Sequence, residues 1–157
     1  MSGRRRGVSR LALVVAVVAG WGAAEAGPAS PEPATSRAFG DPGLTWGPCP
    51  EFMPKGCGIA VLHGDPGKPN ADVFFRVPGK AVIPRHWHTS AERMVLVSGE
   101  MAVSYDGQEP ATLRPGTYAF GPAKAPHSAT CASAAPCVLF IAFEGPVDAH
   151  PSGVAAR

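Results

Sequence analysis

The chain alternates short apolar runs with breaks that contain glycine and proline, and this alternation limits the folds open to it. With 19 glycines and 18 prolines among 157 residues, no stretch keeps a helical period of useful length. The run at 71–77, ADVFFRV, alternates its side chains as a half-buried strand does. Short strands at close spacing are typical of an all-β sandwich or barrel. The sequence therefore predicts an all-β single domain, a small antiparallel β-barrel.

Turn signals bound the predicted strands and suggest how they connect. Eight strands are predicted, at 58–64, 71–79, 83–90, 92–100, 101–107, 116–122, 127–131 and 137–145. Asp106-Gly107 is a dipeptide that favours a tight hairpin turn, and the Ser-Gly-Glu link at 98–100 is equally short. We therefore expect the central strands to form an up-and-down meander in which each strand pairs with the next.

The first 26 residues have the layout of a secretory signal peptide. A basic start precedes a 14-residue apolar segment, Leu11–Ala24, and the small residues Ala24 and Ala26 precede the expected cleavage site. An uncleaved anchor is the alternative, but the segment is shorter than the ~20 residues that a membrane-spanning helix needs. We expect export to the periplasm or the extracellular space, cleavage after Ala26, and no stable membrane anchor in the mature protein.

The mature chain is predicted to have three regions. Residues 27–43 form a flexible lead-in, residues 44–145 form the barrel domain, and residues 146–157 form a loose C-terminal tail. Loss of four arginines and one glutamate with the leader changes the net charge from +2 to −1. No nucleic-acid partner is expected, because such a partner would require a basic patch on the folded domain.

The four cysteines of the mature chain form two local pairs. Cys49 and Cys57 stand eight positions apart, and Cys131 and Cys137 stand six apart. Disulfides persist in the oxidising compartments that exported proteins reach. Neither spacing matches the Cys-x-x-Cys pattern of metal sites. We therefore predict the disulfides Cys49–Cys57 and Cys131–Cys137, each closing a short loop at the end of a strand pair.

The stretch IPRHWHTSAE places two histidines one residue apart and a glutamate four residues later. Side chains alternate along a strand, so His86 and His88 point one way while Arg85 and Trp87 point the other. Glu92 opens the next predicted strand. Further along the chain, His127 is the first residue of the predicted strand HSATC, and it follows a loop that has a proline at each end. The alternative to a metal site is a simple polar cluster, which would be costly inside a barrel. We predict that these three histidines and the glutamate bind one metal ion.

The first of these segments resembles the first motif of the cupin family. It runs from Gly79 through six residues to His86-Trp87-His88, then three residues to Glu92 and six more to Gly99. Its first spacer is one residue longer than the usual one. The second motif is Gly116, five residues, Pro122, four residues and His127. Two positions depart from it: Lys124 replaces a usual glycine, and Cys131 a common asparagine.

The resemblance covers roughly residues 70–145. It implies a cupin, or jelly-roll, β-barrel that binds one divalent metal through His86, His88, Glu92 and His127. Three imidazoles and one carboxylate suit Mn, Fe, Ni, Cu or Zn, and the ligand types alone do not choose among them. Cupin-like barrels often pair through an outer sheet, so a homodimer is a further expectation.

The function favoured by this site is that of a metal-dependent, dioxygenase-like oxidoreductase with a small organic substrate. Glu92 is also a candidate base, as the family resemblance allows. The alternative is a non-catalytic cupin that binds a ligand or a metal, for instance as a sensor. A mostly apolar pocket lining favours a small organic ligand. The candidate lining residues are Met94, Met101, Tyr105, Tyr118, Phe120 and Phe140.

Overall fold

The computed structural model describes residues 32–153, so the predicted signal peptide, the start of the lead-in and residues 154–157 lie outside the described residues. All regular elements in this range are β-strands, and no helix suited to crossing a membrane occurs there. The strands are β1 (Gly47–Pro48), β2 (Gly58–His63), β3 (Asp72–Val77), β4 (Val82–Trp87), β5 (Glu92–Ser98), β6 (Met101–Tyr105), β7 (Ala111–Leu113), β8 (Tyr118–Gly121), β9 (His127–Cys131), β10 (Cys137–Phe143) and β11 (His150–Pro151).

These strands form two antiparallel sheets that share one core. One sheet has six strands in the order β1-β2-β3-β10-β5-β8, and the other has five in the order β11-β4-β9-β6-β7. The all-β prediction is confirmed. The two sheets do not close into one continuous barrel, and the architecture is that of a jelly roll.

The predicted meander is wrong at the link between β5 and β6. β5 pairs with β8 and β10, whereas β6 pairs with β7 and β9, so these consecutive strands belong to different sheets. Gly99 in the link has φ +87°, a left-handed conformation that favours glycine, and a Cβ there would lie 2.8 Å from Cys137 Sγ. The chain therefore crosses between sheets at this point. The turn at Asp106-Gly107 does join neighbours, because β6 pairs with β7.

The inner faces of both sheets supply the main core. On β5 the core-facing side chains are Glu92, Met94 and Leu96, as strand alternation predicts. Burial of this apolar surface is the main force that holds the sheets together. Among the described residues, the buried polar or charged side chains are His86, His88, Glu92 and His127.

The outer face of the six-stranded sheet carries a second, smaller apolar cluster. Ala60, Phe74 and Val138 are buried there, with Trp46 and Phe140 packed against them. The cluster places residues that follow the lead-in against this sheet. At its far edge, strand β8 has one unpaired side.

Both predicted disulfides are present. Cys49–Cys57 closes the loop between β1 and β2, with Cα atoms 5.8 Å apart. Cys131–Cys137 closes the loop between β9 and β10, with Cα atoms 5.7 Å apart. The side chain of Cys131, at the position where the family pattern often has asparagine, is therefore committed to a covalent bond.

The prediction of a loose tail from residue 146 is wrong for its described part. Strand β11 pairs with β4, and Ser152 N donates to Arg85 O at 2.9 Å. The rings of Trp87 and His150 stack with centroids 4.3 Å apart. A two-residue strand that contains a proline has no alternation to detect, which is why the sequence pattern missed it. We call residues 147–153 the C-terminal strap.

Candidate metal centre

Four buried side chains from both sheets meet in the core. His86 lies on β4 and His88 follows its end, while His127 opens β9 in the same sheet. Glu92 opens β5 in the opposite sheet and is only 2% exposed. His127 is the register partner of His86, which brings their rings to a centroid distance of 4.2 Å. The fold therefore joins residues that are up to 41 positions apart.

A register shift in the β4–β9 pairing sets which way these histidines face. The shift falls between Ile83 and His86, and both side chains are buried although they stand three positions apart. Alternation resumes beyond the shift, so His86 and His88 face the core. Arg85 and Trp87 lie on the other side of the strand, as the sequence predicts.

The donor atoms of these side chains converge. One ring nitrogen from each of the three histidines lies within 4.8 Å of the others. The Nε2 atoms of His88 and His127 each lie 3.6 Å from Glu92 Oε1. Nitrogen donors that bind one ion at about 2 Å stand roughly 3–4 Å apart, so the histidine triad can hold a metal ion.

Backbone carbonyls fix the orientation of each imidazole. An Nδ1–H that donates to a carbonyl leaves Nε2 of a neutral ring with a free lone pair. Metal-binding histidines commonly make such a bond with the nitrogen that does not bind the metal. The three bonds run from His86 to Pro84 O (2.7 Å), from His88 to Asp148 O (2.5 Å) and from His127 to Ala125 O (3.0 Å).

Burial also sets the charge of the site. Burial and the adjacent His127 lower the pKa of His86 to about 3. Burial likewise lowers the pKa of His127 to about 4, so both rings are neutral near pH 7. Burial raises the pKa of Glu92, and within residues 32–153 its Oε1 atom makes no hydrogen bond of good geometry. An unpartnered buried carboxylate oxygen is costly, and a cation would remove that cost. The residues present therefore fit a metal ion.

The C-terminal strap supports His88, a role that no pattern in the sequence predicts. Besides the main-chain bond to His88, Asp148 accepts a hydrogen bond from Thr89 N at its Oδ1 atom, at 2.9 Å. Its Oδ2 atom lies 3.2 Å from His150 Nε2. The available sequence signal was the Asp-Ala-His run at 148–150, which lies between two prolines but has no periodic pattern around it.

Arg85 anchors the strap from the outer side of β4. Its guanidinium donates to Ser152 Oγ at 2.5 Å and to the Gly153 carbonyl. The guanidinium also forms a bidentate ion pair with Asp106, in which Nε donates to Oδ1 at 3.1 Å and Nη2 donates to Oδ2. Because β11 and Arg85 hold the same segment, the carbonyl that orients His88 has a fixed support.

Lys124 links the loop before His127 to His88. Its φ is 61°, a left-handed conformation that explains why the family pattern usually has glycine at this position. Its backbone N–H donates to His88 O at 2.8 Å. The main chain of this loop therefore joins the segments that carry two of the histidines.

An apolar cavity of about 170 Å³ opens beside the four donors. Of the candidate lining residues, Met94, Met101 and Tyr105 lie along it. Met53 lines it from the loop that the Cys49–Cys57 disulfide closes, and Val147 lines it from the strap. Strand patterns could not predict these two contributions, because neither residue lies in a predicted strand.

The prediction that Tyr118, Phe120 and Phe140 line the cavity is wrong. Tyr118 and Phe120 are 60% and 51% exposed on the edge strand β8. Phe140 packs in the cluster on the outer face of the six-stranded sheet. Composition indicated apolar strands, but it does not show which side chains of β8 point into the core. That depends on the register between β8 and β5, which is determined by the turn before β8.

Tyr105 lies against the donors, and its hydroxyl is close to the Glu92 carboxylate. Its ring stacks on His127 with centroids 4.6 Å apart, and among the described residues its buried hydroxyl makes no hydrogen bond of good geometry. Burial and the nearby Glu92 carboxylate raise the pKa of the Tyr105 hydroxyl, so it is protonated. A Cβ at Gly121 would lie 2.5 Å from this hydroxyl and 2.7 Å from Glu92 Oε1, so glycine leaves the space that both oxygens need.

Comparison with protein families agrees with this fold. The family profile described as the Cupin domain matches residues 73–143. No curated protein matches the chain. Among solved structures, the DMSP lyase DddQ from Ruegeria pomeroyi DSS-3 superposes with a TM-score of 0.60 at 21% identity. That match covers 73% of this chain but only 64% of the lyase.

Two further solved structures have the same fold. The polyketide cyclase RemF from Streptomyces resistomycificus gives a TM-score of 0.60 at 18% identity, covering 77% of this chain and 88% of the cyclase. An acetylacetone dioxygenase from Acinetobacter johnsonii gives 0.55 at 21% identity, covering 74% and 76%. At such identities the likeness shows the fold alone, and these proteins are named for three different reactions.

Proposed function

The chain belongs to the cupin superfamily, and we propose that it is an exported, metal-dependent oxidoreductase. The reaction would resemble that of a dioxygenase acting on a small organic substrate. The observation that carries the proposal is the convergence of three imidazole nitrogens and an unpartnered carboxylate oxygen beside an apolar cavity. The two disulfides support export, because such bonds persist in oxidising compartments.

We assign His86, His88, Glu92 and His127 as ligands of one divalent transition metal. Mn, Fe, Ni, Cu and Zn all suit this set of nitrogen and oxygen donors. A bound metal would supply a Lewis acid for the substrate oxygen and, if redox-active, a route for electrons to dioxygen. The chain's own residues fix the donors, exclude water with apolar walls and offer Glu92 as a group that can accept a proton.

The cavity chemistry favours oxidation over hydrolysis. Its walls are almost entirely apolar, and among the described residues none of its lining side chains is a lysine or an arginine. Such walls favour an apolar substrate and dioxygen over water, which a hydrolase must admit. The shared fold does not decide the reaction, so it is the lining that favours oxidation.

The second candidate is a non-catalytic cupin that binds a ligand or a metal. It is favoured by the small number of groups able to transfer a proton. Apart from the four proposed ligands, the titratable side chains that line the cavity are Tyr105 and Asp148. The Asp148 carboxylate is already engaged by Thr89 N and His150.

Metal analysis combined with oxygen uptake tests the two candidates. We expect the purified mature protein to contain about one iron, manganese, nickel or copper per chain. It should consume oxygen with at least one member of a panel of small phenols and enols. Glu92→Gln and prior chelation should abolish the uptake. Zinc with compound binding but no uptake would favour the binder. A protein that takes up no metal would contradict the enzyme, and one that takes up no metal and binds none of the compounds would contradict both.

Asp148→Ala is expected to weaken metal binding about tenfold, because a partner that orients a ligand typically contributes 10–100-fold. The effect should fall at the low end, since the main-chain carbonyl that accepts from His88 remains. Competition with a chromophoric chelator for Zn²⁺ measures it. Asp41→Ala is the matched control, because Asp41 also accepts a backbone N–H, from Gly43 at 2.7 Å, and neither residue lines the cavity. Equal Zn²⁺ affinity in both variants would contradict a role for the strap.

A further inference from the structure

The cavity limits the size and charge of what it can bind. A cavity of about 150 Å³ lined by apolar side chains binds benzene, so the present volume of about 170 Å³ suits a molecule of roughly one ring. No lysine or arginine lines it within the described range, so an anionic group would have no side-chain counter-ion. An uncharged organic molecule fits these walls best.

Among the described residues, two buried oxygen atoms at the polar end of the cavity make no hydrogen bond of good geometry. They are Glu92 Oε1 and the Tyr105 hydroxyl, which lies close to the Glu92 carboxylate. Leaving such a group unsatisfied costs about 1–3 kcal/mol. The proposed function assigns the Glu92 oxygen to the metal. The Tyr105 hydroxyl is still unassigned, although its residue lines the cavity and its ring is held against His127.

We propose that the cavity binds an uncharged organic molecule of about one ring that carries one oxygen, and that the Tyr105 hydroxyl donates a hydrogen bond to this oxygen. The inference rests on the proposed function for the assignment of Glu92 to the metal. Tyr105 is then a specificity-determining residue, because a ligand without the oxygen would leave the hydroxyl unsatisfied. The apolar body of the ligand would lie against residues such as Met94 and Met101.

Phenol and toluene test this proposal, because they have nearly the same shape and differ in one oxygen. The affinities of both are measured by titration calorimetry on the purified protein as isolated, and the metal content of each sample is determined. Tyr105→Phe is expected to lower the affinity for phenol roughly five- to tenfold relative to toluene. Tyr118→Phe is the matched control, since Tyr118 is exposed on β8, and it should leave the ratio of affinities unchanged.

Each outcome has a defined meaning. An unchanged phenol-to-toluene ratio in Tyr105→Phe would overturn the proposal. If Tyr105→Phe also lowered the metal content, the role of the hydroxyl would be to orient Glu92 and not to bind the ligand. Failure of both compounds to bind would overturn the substrate class. A ratio that falls in a protein without metal would support the role of Tyr105 while rejecting the proposed function, so the two failures are distinguishable.

Discussion

Replacing His127 by alanine is expected to remove most of the metal from the purified protein and to weaken rebinding by more than about 100-fold. The lower bound follows because residues that only orient a metal ligand already contribute 10–100-fold to metal affinity. His127 belongs to β9, whereas the other two histidines belong to β4 and its end. The variant therefore tests whether the strand pairing assembles the site. His86→Ala should behave in the same way, because its ring lies beside that of His127.

The measurement is the metal-to-protein ratio by elemental analysis, followed by titration with Zn²⁺ against a competing chelator. His63→Ala is the matched control, because His63 is exposed on β2 and absent from the cavity lining. Circular dichroism checks that each variant keeps its β-structure. Full metal occupancy in both His86→Ala and His127→Ala would reject the ligand assignment.

Loss of the Cys131–Cys137 disulfide should destabilise the protein by about 2–3 kcal/mol, from the loop-closure entropy of a short loop. For a domain of this size the melting temperature should fall by on the order of 10 °C. Both sulfurs lie in the main core, where each cysteine is 0% exposed, so exposure of the loop end would add to the effect. Thermal unfolding of Cys131→Ala/Cys137→Ala measures the change.

The Cys49–Cys57 disulfide supplies the comparison. Both of its cysteines are partly exposed, so Cys49→Ala/Cys57→Ala should lower the melting temperature less. Mass spectrometry of protein from its native exported fraction tests the premise. We expect a chain that starts at residue 27 and lacks four hydrogens. Four free thiols, or an intact leader, would contradict the proposal of export.

The sequence predicts those parts of the fold that repeat along the chain. Alternating runs gave the eight long strands, and the one-residue spacing of His86 and His88 gave their common direction. The spacing of Glu92 to Met94 and Leu96 likewise gave the inner face of β5. These predictions succeed because the side-chain period of a strand is local and strict.

The sequence does not predict features that depend on register or on distant partners. The crossing at Gly99 follows from contacts with the Cys131–Cys137 loop, about 35 residues away along the chain. The outward facing of Tyr118 and Phe120 follows from how β8 pairs with β5. The strap was missed because its two-residue strand has no period, although it supplies the carbonyl that orients His88.

Anomalous diffraction at the absorption edge of the metal, from crystals of the purified mature protein, would locate the ion itself. We expect one peak, within about 2.0–2.2 Å of the Nε2 atoms of His86, His88 and His127 and of one Glu92 oxygen. A metal bound elsewhere on the chain, or a peak from which His127 stands apart, would contradict the ligand assignment.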